Sequence, residues 1–285
     1  MDETTITVRT GDGIELQTYR WAPEGAPRAA IQVQHGLAEH AARYRRFGEA
    51  LTSAGYLVYA PDARGSGRTA AGQYGSWGRD GWPGWVDDLG RLNARIRQDN
   101  PGLRLALFGH SMGSFAAQQY VLDRSGDIDA LVLSGTTEVS GLADMLDSDA
   151  PADLSAFNAP FENRTGFEWL SRDPDEVDTY VADEGCGWVS PRLEGIGTVR
   201  QAANPHRLAA IRADLPILLV SGTDDPLAGG GAAVQLVAQR YREAGVADVE
   251  VKLYEGARHE VLNETNRDEV TADIIAFLDR TVGPS

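Results

Sequence analysis

Ser111 stands in Gly109-His110-Ser111-Met112-Gly113, a Gly-x-Ser-x-Gly spacing that closes the apolar run 105–108. A serine on a sharp strand-to-helix turn sits in strained backbone that pushes its hydroxyl outward. Glycines two residues to either side remove the Cβ atoms that would collide at such a bend. The alternative is an ordinary helix N-cap serine. The setting favours a nucleophile: a β-rich hydrophobic run leads in, and residues 114–122 read as the helix leading out.

A serine hydroxyl attacks poorly until a base within hydrogen-bond reach takes its proton. The five histidines are His35, His40, His110, His206 and His259. His110 adjoins Ser111 on the turn itself and is expected to point away from the hydroxyl. His35 and His40 precede the serine, whereas this turn usually goes with the order serine, acid, histidine. His206, in Asn204-Pro205-His206-Arg207, reads as a helix start. His259 follows the run 249–254 in a loop before the final helix, where catalytic side chains collect, and is the expected base.

The third member must be a carboxylate that orients the imidazole and stabilises its protonated form. The run 216–222 ends in Gly222-Thr223-Asp224-Asp225-Pro226, making Asp225 the first choice, with Asp224 as a turn residue and Glu138 as a distant third. Attack on a carbonyl also builds an oxyanion that needs preorganised N–H donors. Met112 N–H, at a helix N-terminus, is one expected donor, and Leu37 N–H is the other, with Gly36 letting the backbone turn inward.

Short β-rich runs alternating with amphipathic segments must position these groups. Residues 5–9 and 14–21 read as an antiparallel pair around Gly11-Asp12-Gly13. The runs 29–34, 57–60, 103–108, 130–133, 217–220 and 249–254 are nearly all apolar, as suits strands buried on both faces of a parallel sheet. Helical patterns cover 44–54, 85–98, 111–124 and 232–244, and a last helix is expected from Asn266 with Glu269 closing a capping box. This rhythm predicts a doubly wound α/β fold with function at the carboxyl ends of the strands. It breaks between 136 and 204, a stretch without a clean strand that is too long for a plain connection. The expected organisation is therefore a core domain of 1–135 and 205–285, with a mainly helical cap insertion at 136–204.

The 285 residues are 42% hydrophobic, enough for one large domain, and the net charge of −16 argues against nucleic acid and anionic membrane surfaces. Arg43/Arg45/Arg46 and Arg91/Arg95/Arg97 read as solvated helix faces. A single cysteine, Cys186, is expected to exclude an intramolecular disulfide framework and a Cys-based zinc site. The N-terminal residues lack a charged and apolar leader pattern, and no apolar span approaches about 20 residues, so a cytoplasmic protein without integral membrane association is expected. The glycosylation sequons at Asn163 and Asn263 then count as accidental.

Together, His35-Gly36-Leu37-Ala38-Glu39-His40-Ala41-Ala42-Arg43-Tyr44, Asp62-Ala63-Arg64-Gly65-Ser66-Gly67, Gly109-His110-Ser111-Met112-Gly113, Gly222-x-x-Asp225 and Arg258-His259 resemble the α/β-hydrolase superfamily. More narrowly, the chain resembles its monoacylglycerol lipase and lysophospholipase branch, and 164–173 is similar to bacterial lysophospholipase-like members. The resemblance implies the α/β-hydrolase fold, a triad of Ser111, Asp225 and His259, and oxyanion donors at Leu37 and Met112. It departs at Ser66, where histidine is usual. Two rival motifs are weak. Gly65-Ser66-Gly67-Arg68-Thr69-Ala70 fits a dinucleotide pattern but is separated from the preceding strand. Asp147-Ser148-Asp149 lacks the glycine and glutamate of a calcium loop.

The expected function is hydrolysis of a carboxylic ester through an acyl-enzyme on Ser111, without metal or organic cofactor. The cap's apolar content points to an apolar acyl group, with Leu142, Met145, Leu146, Phe157, Phe161 and Trp188 as candidate pocket residues. A thioester, amide or C–C bond as substrate, acyl transfer, or a non-catalytic ligand-binding role stand as alternatives, and the sequence leaves oligomeric state open.

Overall fold

The structure is a computed structural model describing residues 1–147 and 151–283, with the side chains of 144–146 outside that description. The strands are β1 (Asp2–Arg9), β2 (Glu15–Ala22), β3 (Ala30–Gln34), β4 (Leu57–Pro61), β5 (Leu105–His110), β6 (Ala130–Ser134), β7 (Ile217–Gly222) and β8 (Val249–Tyr254). The helices are α1 (Arg45–Ser53), α2 (Gly67–Ala70), α3 (Gly81–Asp99), α4 (Met112–Arg124), α5 (Val139–Leu146), α6 (Pro174–Ala182), α7 (Pro205–Leu208), α8 (Ala232–Glu243) and α9 (Arg267–Thr281).

The strands form one sheet in the order β1-β2-β4-β3-β5-β6-β7-β8. β1 and β2 pair antiparallel, β2 joins β4 antiparallel, and β3 to β8 run parallel. This is the α/β-hydrolase architecture expected from the sequence. Every residue of β3, β4, β5, β6 and β7 is buried, which is why these runs read as continuously apolar. Their side chains still alternate between faces. Leu107, Leu131, Leu133, Ile217 and Leu219 join the core under α3, α4 and α8, whereas Phe108, Val132, Leu218 and Val220 join the one under α1 and α9. Each such side chain taken from water stabilises the fold by roughly 1.5–3 kcal/mol.

Chain connection reverses direction between neighbouring β3 and β5: from β3 it proceeds to β4 on one side, and from β5 to β6 on the other. The crevice at such a switch point collects ligands, and here it receives the 35–40 loop after β3 and Ser111 after β5.

Two elements differ from expectation. α3 begins at Gly81 instead of 85, because Pro83 sits in its first turn, where a missing N–H costs nothing, while Trp82 and Trp85 are both buried. α9 begins where expected, but Asn266 does not cap it. Its side-chain oxygen accepts from Arg172 Nη2 at 3.0 Å and its side-chain amide, not its backbone N–H, donates to Glu269 Oε2 at 3.0 Å, so the expected capping box does not form.

Between β6 and β7 the chain leaves the sheet. α5, α6 and 3-10 turns at Leu154–Asn158, Glu168–Leu170 and Ile196–Ala203 pass over the carboxyl ends of the strands, with one antiparallel bridge between Ala152 and Ser190. A separate apolar cluster of Trp169, Leu170, Tyr180 and Cys186 centres this segment. Among the described residues no helix is long and apolar enough to cross a membrane.

Candidate active site

Ser111 has φ 50° and ψ −123°, between the last residue of β5 and the first of α4. Such backbone costs about 1–3 kcal/mol in a residue with a Cβ, and surrounding contacts must hold it. Its N–H donates to Ser134 O at 2.9 Å, and its carbonyl accepts from Ser114 Oγ at 2.6 Å. The flanking glycines are required by space. A Cβ at Gly109 would lie 2.5 Å from Gly113 O, and one at Gly113 would meet the carbonyls of Gln34 and His35.

Asp225 and His259 converge from the ends of β7 and β8. His259 Nδ1 lies 2.9 Å from Asp225 Oδ2, and both side chains are almost fully buried. Asp225 is itself oriented, since its Oδ1 accepts from Leu227 N–H at 2.9 Å. Gly222 allows the two loops to meet, because any Cβ there would strike Ala257 O. The other imidazole nitrogen, Nε2, is buried and has no hydrogen-bond partner among the described residues. His259 and Ser111 line one narrow cleft with Gly36, Leu37, Leu154, Trp169 and Tyr180. Burial alone pulls the His259 pKa down. The charge and hydrogen bond of Asp225, helped by Glu260 and Glu39, outweigh it and raise the pKa above 6.5.

The segment between β6 and β7 touches this histidine directly. Trp169 packs its ring 4.8 Å from the imidazole, and its carbonyl accepts the His259 N–H at 3.2 Å. Leu170 O accepts the Glu260 N–H at 2.8 Å.

The 35–40 loop is pinned from beneath. His35 Nδ1 donates to Gly36 O at 2.7 Å and its Nε2 accepts from Ala63 N–H at 2.9 Å. Glu39 Oε1 accepts Gly36 N–H at 2.6 Å and Tyr44 OH at 2.9 Å. Arg43 donates to Glu39 at 2.7 Å and to both oxygens of Glu260, and its guanidinium covers the Tyr180 ring. Burial pushes the Glu39 and Glu260 carboxyls up, but Arg43 holds both below the usual carboxylate range. The Leu37 and Met112 amides, the expected oxyanion donors, carry no hydrogen bond among the described residues. Both line a second, narrow surface pocket with Ala152, Leu193 and Ile196.

Of the remaining candidates, His110 also lines the cleft, with its ring 4.9 Å from that of His259. His110 bonds Ser134 Oγ at 3.2 Å and stays uncharged, since burial pulls its pKa down to about 4. His206 opens α7. Asp224 N–H donates to Ala257 O, and Glu138 caps α5 and pairs with Arg240. Of the pocket candidates, Phe157 packs against Trp169, Phe161 lies under Arg258, and Trp188 stacks on Tyr74; none of these three lines either cavity. Leu142 packs against the main core. The Met145 and Leu146 side chains fall outside the described residues, as does part of Asp147-Ser148-Asp149. Sequence reasoning missed Glu39, Arg43, Glu260 and Trp169 as parts of the site. Glu39 and Arg43 stand inside the quoted motif, but their partner at 260 is not visible from spacing.

Comparison with known proteins matches residues 25–266 to the profile of the serine aminopeptidase S33 family. The chain is similar to a monoacylglycerol lipase of Mycolicibacterium smegmatis, with 33% identity covering 93% of this chain and 95% of that protein. It is similar to a human monoglyceride lipase, with 30% identity covering 87% and 80%. A solved structure of a highly thermostable carboxyl esterase from Bacillus coagulans in complex with glycerol superposes at TM-score 0.88, with 26% identity and 99% of each chain covered.

Proposed function

Since this chain belongs to the serine aminopeptidase S33 family of α/β-hydrolases and is a serine carboxylic ester hydrolase, we propose that Ser111, His259 and Asp225 are its catalytic triad and that it cleaves a monoacylglycerol or a related single-chain acyl ester. The observation that carries the assignment is the buried 2.9 Å bond from His259 Nδ1 to Asp225, which leaves Nε2 unpartnered in the cleft that Ser111 lines. His259 takes the Ser111 proton as Oγ attacks the ester carbonyl, then protonates the departing alcohol, then draws a proton from the water that releases the acid. Asp225 stays ionised and fixes the ring so that Nε2 faces the cleft. Leu37 and Met112 N–H groups receive the oxyanion, each worth about 3–4 kcal/mol to the transition state.

Residues 136–204 act as the cap, and the cavity beside Leu37, Met112, Leu193 and Ile196 takes the acyl chain. The apolar character of these side chains supports an aliphatic acyl group, and the relatives' activities support glycerol as the alcohol. A cytoplasmic location belongs to the same proposal, supported by the unpaired Cys186. Ser111→Ala is expected to keep the wild-type circular dichroism while lowering turnover of monoacylglycerol and of a p-nitrophenyl ester by about 10⁴-fold or more. A fluorophosphonate should add to the Ser111 peptide alone. Retained turnover or labelling elsewhere overturns the assignment, and turnover of the synthetic ester without any monoacylglycerol overturns the substrate.

A further inference from the structure

His40 and Asp183 lie 143 residues apart in sequence, yet His40 Nε2 is 2.9 Å from Asp183 Oδ2. His40 ends the loop that carries Leu37, while Asp183 and Cys186 follow α6 on the cap. One ligand atom from each of His40, Asp183 and Cys186 falls within 4.8 Å of the other two. We infer that these three side chains form a binding site for a divalent cation of the zinc class, joining the cap to the 35–40 loop.

An imidazole nitrogen, a carboxylate oxygen and one thiolate suit a borderline-soft cation, and three protein ligands with a fourth open position is a recurring zinc arrangement. Ligand atoms around such an ion stand about 3.5 Å apart. The His40–Asp183 pair therefore opens slightly while the sulfur closes in by roughly 1 Å. The thiol loses its proton to solvent as the sulfur–metal bond forms, and thiolate plus carboxylate then balance the double positive charge.

Three surrounding features fit this use. Asp183 Oδ1 accepts Gly185 N–H at 2.8 Å, so one carboxylate oxygen is held by backbone while Oδ2 faces His40. Gly185 keeps the space open, because a Cβ there would lie 3.0 Å from His40 Cδ2 and 3.1 Å from Asp183 Oδ1. A groove of about 640 Å³, lined by His40, Asp183 and Gly185 together with Tyr19, Arg68 and Tyr74, gives an entry path and room for a water at the fourth position. The inference is independent of the ester-hydrolase reading.

Cobalt(II) is the probe. The chain contains a single cysteine, so a thiolate-to-cobalt charge-transfer band in the near ultraviolet reports Cys186 and nothing else. Titrating the full-length protein with cobalt should give that band with one-to-one saturation, and zinc should bleach it. Cys186→Ser should abolish it, and Asp183→Asn, which keeps the thiol, should weaken cobalt binding at least tenfold. Zinc should also raise the Tm of the wild type and not that of Cys186→Ser. No charge-transfer band at saturating cobalt would overturn the site, leaving His40–Asp183 a plain hydrogen bond. So would unchanged cobalt affinity in Asp183→Asn, a comparison that stands even if Cys186→Ser does not fold.

Discussion

Arg43 and Glu260 form a buried two-pronged ion pair, with Nη1–Oε1 at 2.6 Å and Nη2–Oε2 at 2.7 Å. The same guanidinium reaches Glu39, so one cation ties the 35–40 loop to the residue that follows His259.

Arg43→Met removes that cation and leaves two carboxylates buried side by side. The expected loss at neutral pH is about 3–5 kcal/mol. In the wild type both carboxyl pKa values are depressed, so the stabilisation is present above the ordinary glutamate pKa and is lost as pH falls through the folded values. In the variant acid neutralises the unpaired carboxylates. The gap between the two proteins should therefore narrow from pH 7 towards pH 4 in urea titrations, and a constant gap would count against charge burial as the cause.

Asp225→Asn keeps the shape of the carboxylate and removes its charge. Turnover should fall by about 10³–10⁴-fold with folding intact. The base works only when neutral, so wild-type kcat/KM should decline as pH drops through a value above 6.5, the direction in which Asp225 moves His259. The residual activity of the variant should show its acid limb at lower pH. A limb that stays in place in the pH–rate profile would separate Asp225 from His259 titration.

Gly36→Ala places a methyl 2.9 Å from Glu39 Oε1 and 3.0 Å from Ser111 Cβ. The loop must shift, taking the Leu37 amide with it. Turnover is expected to drop about 10²-fold with KM little changed, since the amide meets the oxygen only once charge develops there. Steady-state kinetics on a p-nitrophenyl ester decide this, and a rise in KM alone would assign Gly36 to binding.

The strands were legible because both faces of β3 to β7 are covered, which removes polar residues and leaves uninterrupted apolar runs. Of the proposed catalytic residues, Ser111 and Asp225 each follow such a run, whereas His259 follows β8, a half-buried edge strand carrying Glu250 and Lys252; all three lie where a parallel sheet gathers its loops. The lining of the cleft was not legible. Phe157 and Phe161 have the composition of a pocket wall, but the cap needs a core of its own, and that cluster takes them. Trp169 reaches the cleft from the short 3-10 turn Glu168–Leu170, which carries no periodic signal, and Tyr180 from α6, whose buried face is only Val177 and Tyr180. α3 runs four residues ahead of the helical pattern at 85–98, because proline in a first turn breaks nothing.

The bond from His259 N–H to Trp169 O bears on how this enzyme could be rebuilt. An acceptor for the loop bearing His259, the proposed general base, comes from the segment between β6 and β7, so that segment is not an interchangeable accessory. A chimera that imports a foreign segment between β6 and β7 to change substrate range must reproduce that carbonyl and the aromatic ring behind it. Without them the graft would trade selectivity against the alignment of its own proton acceptor.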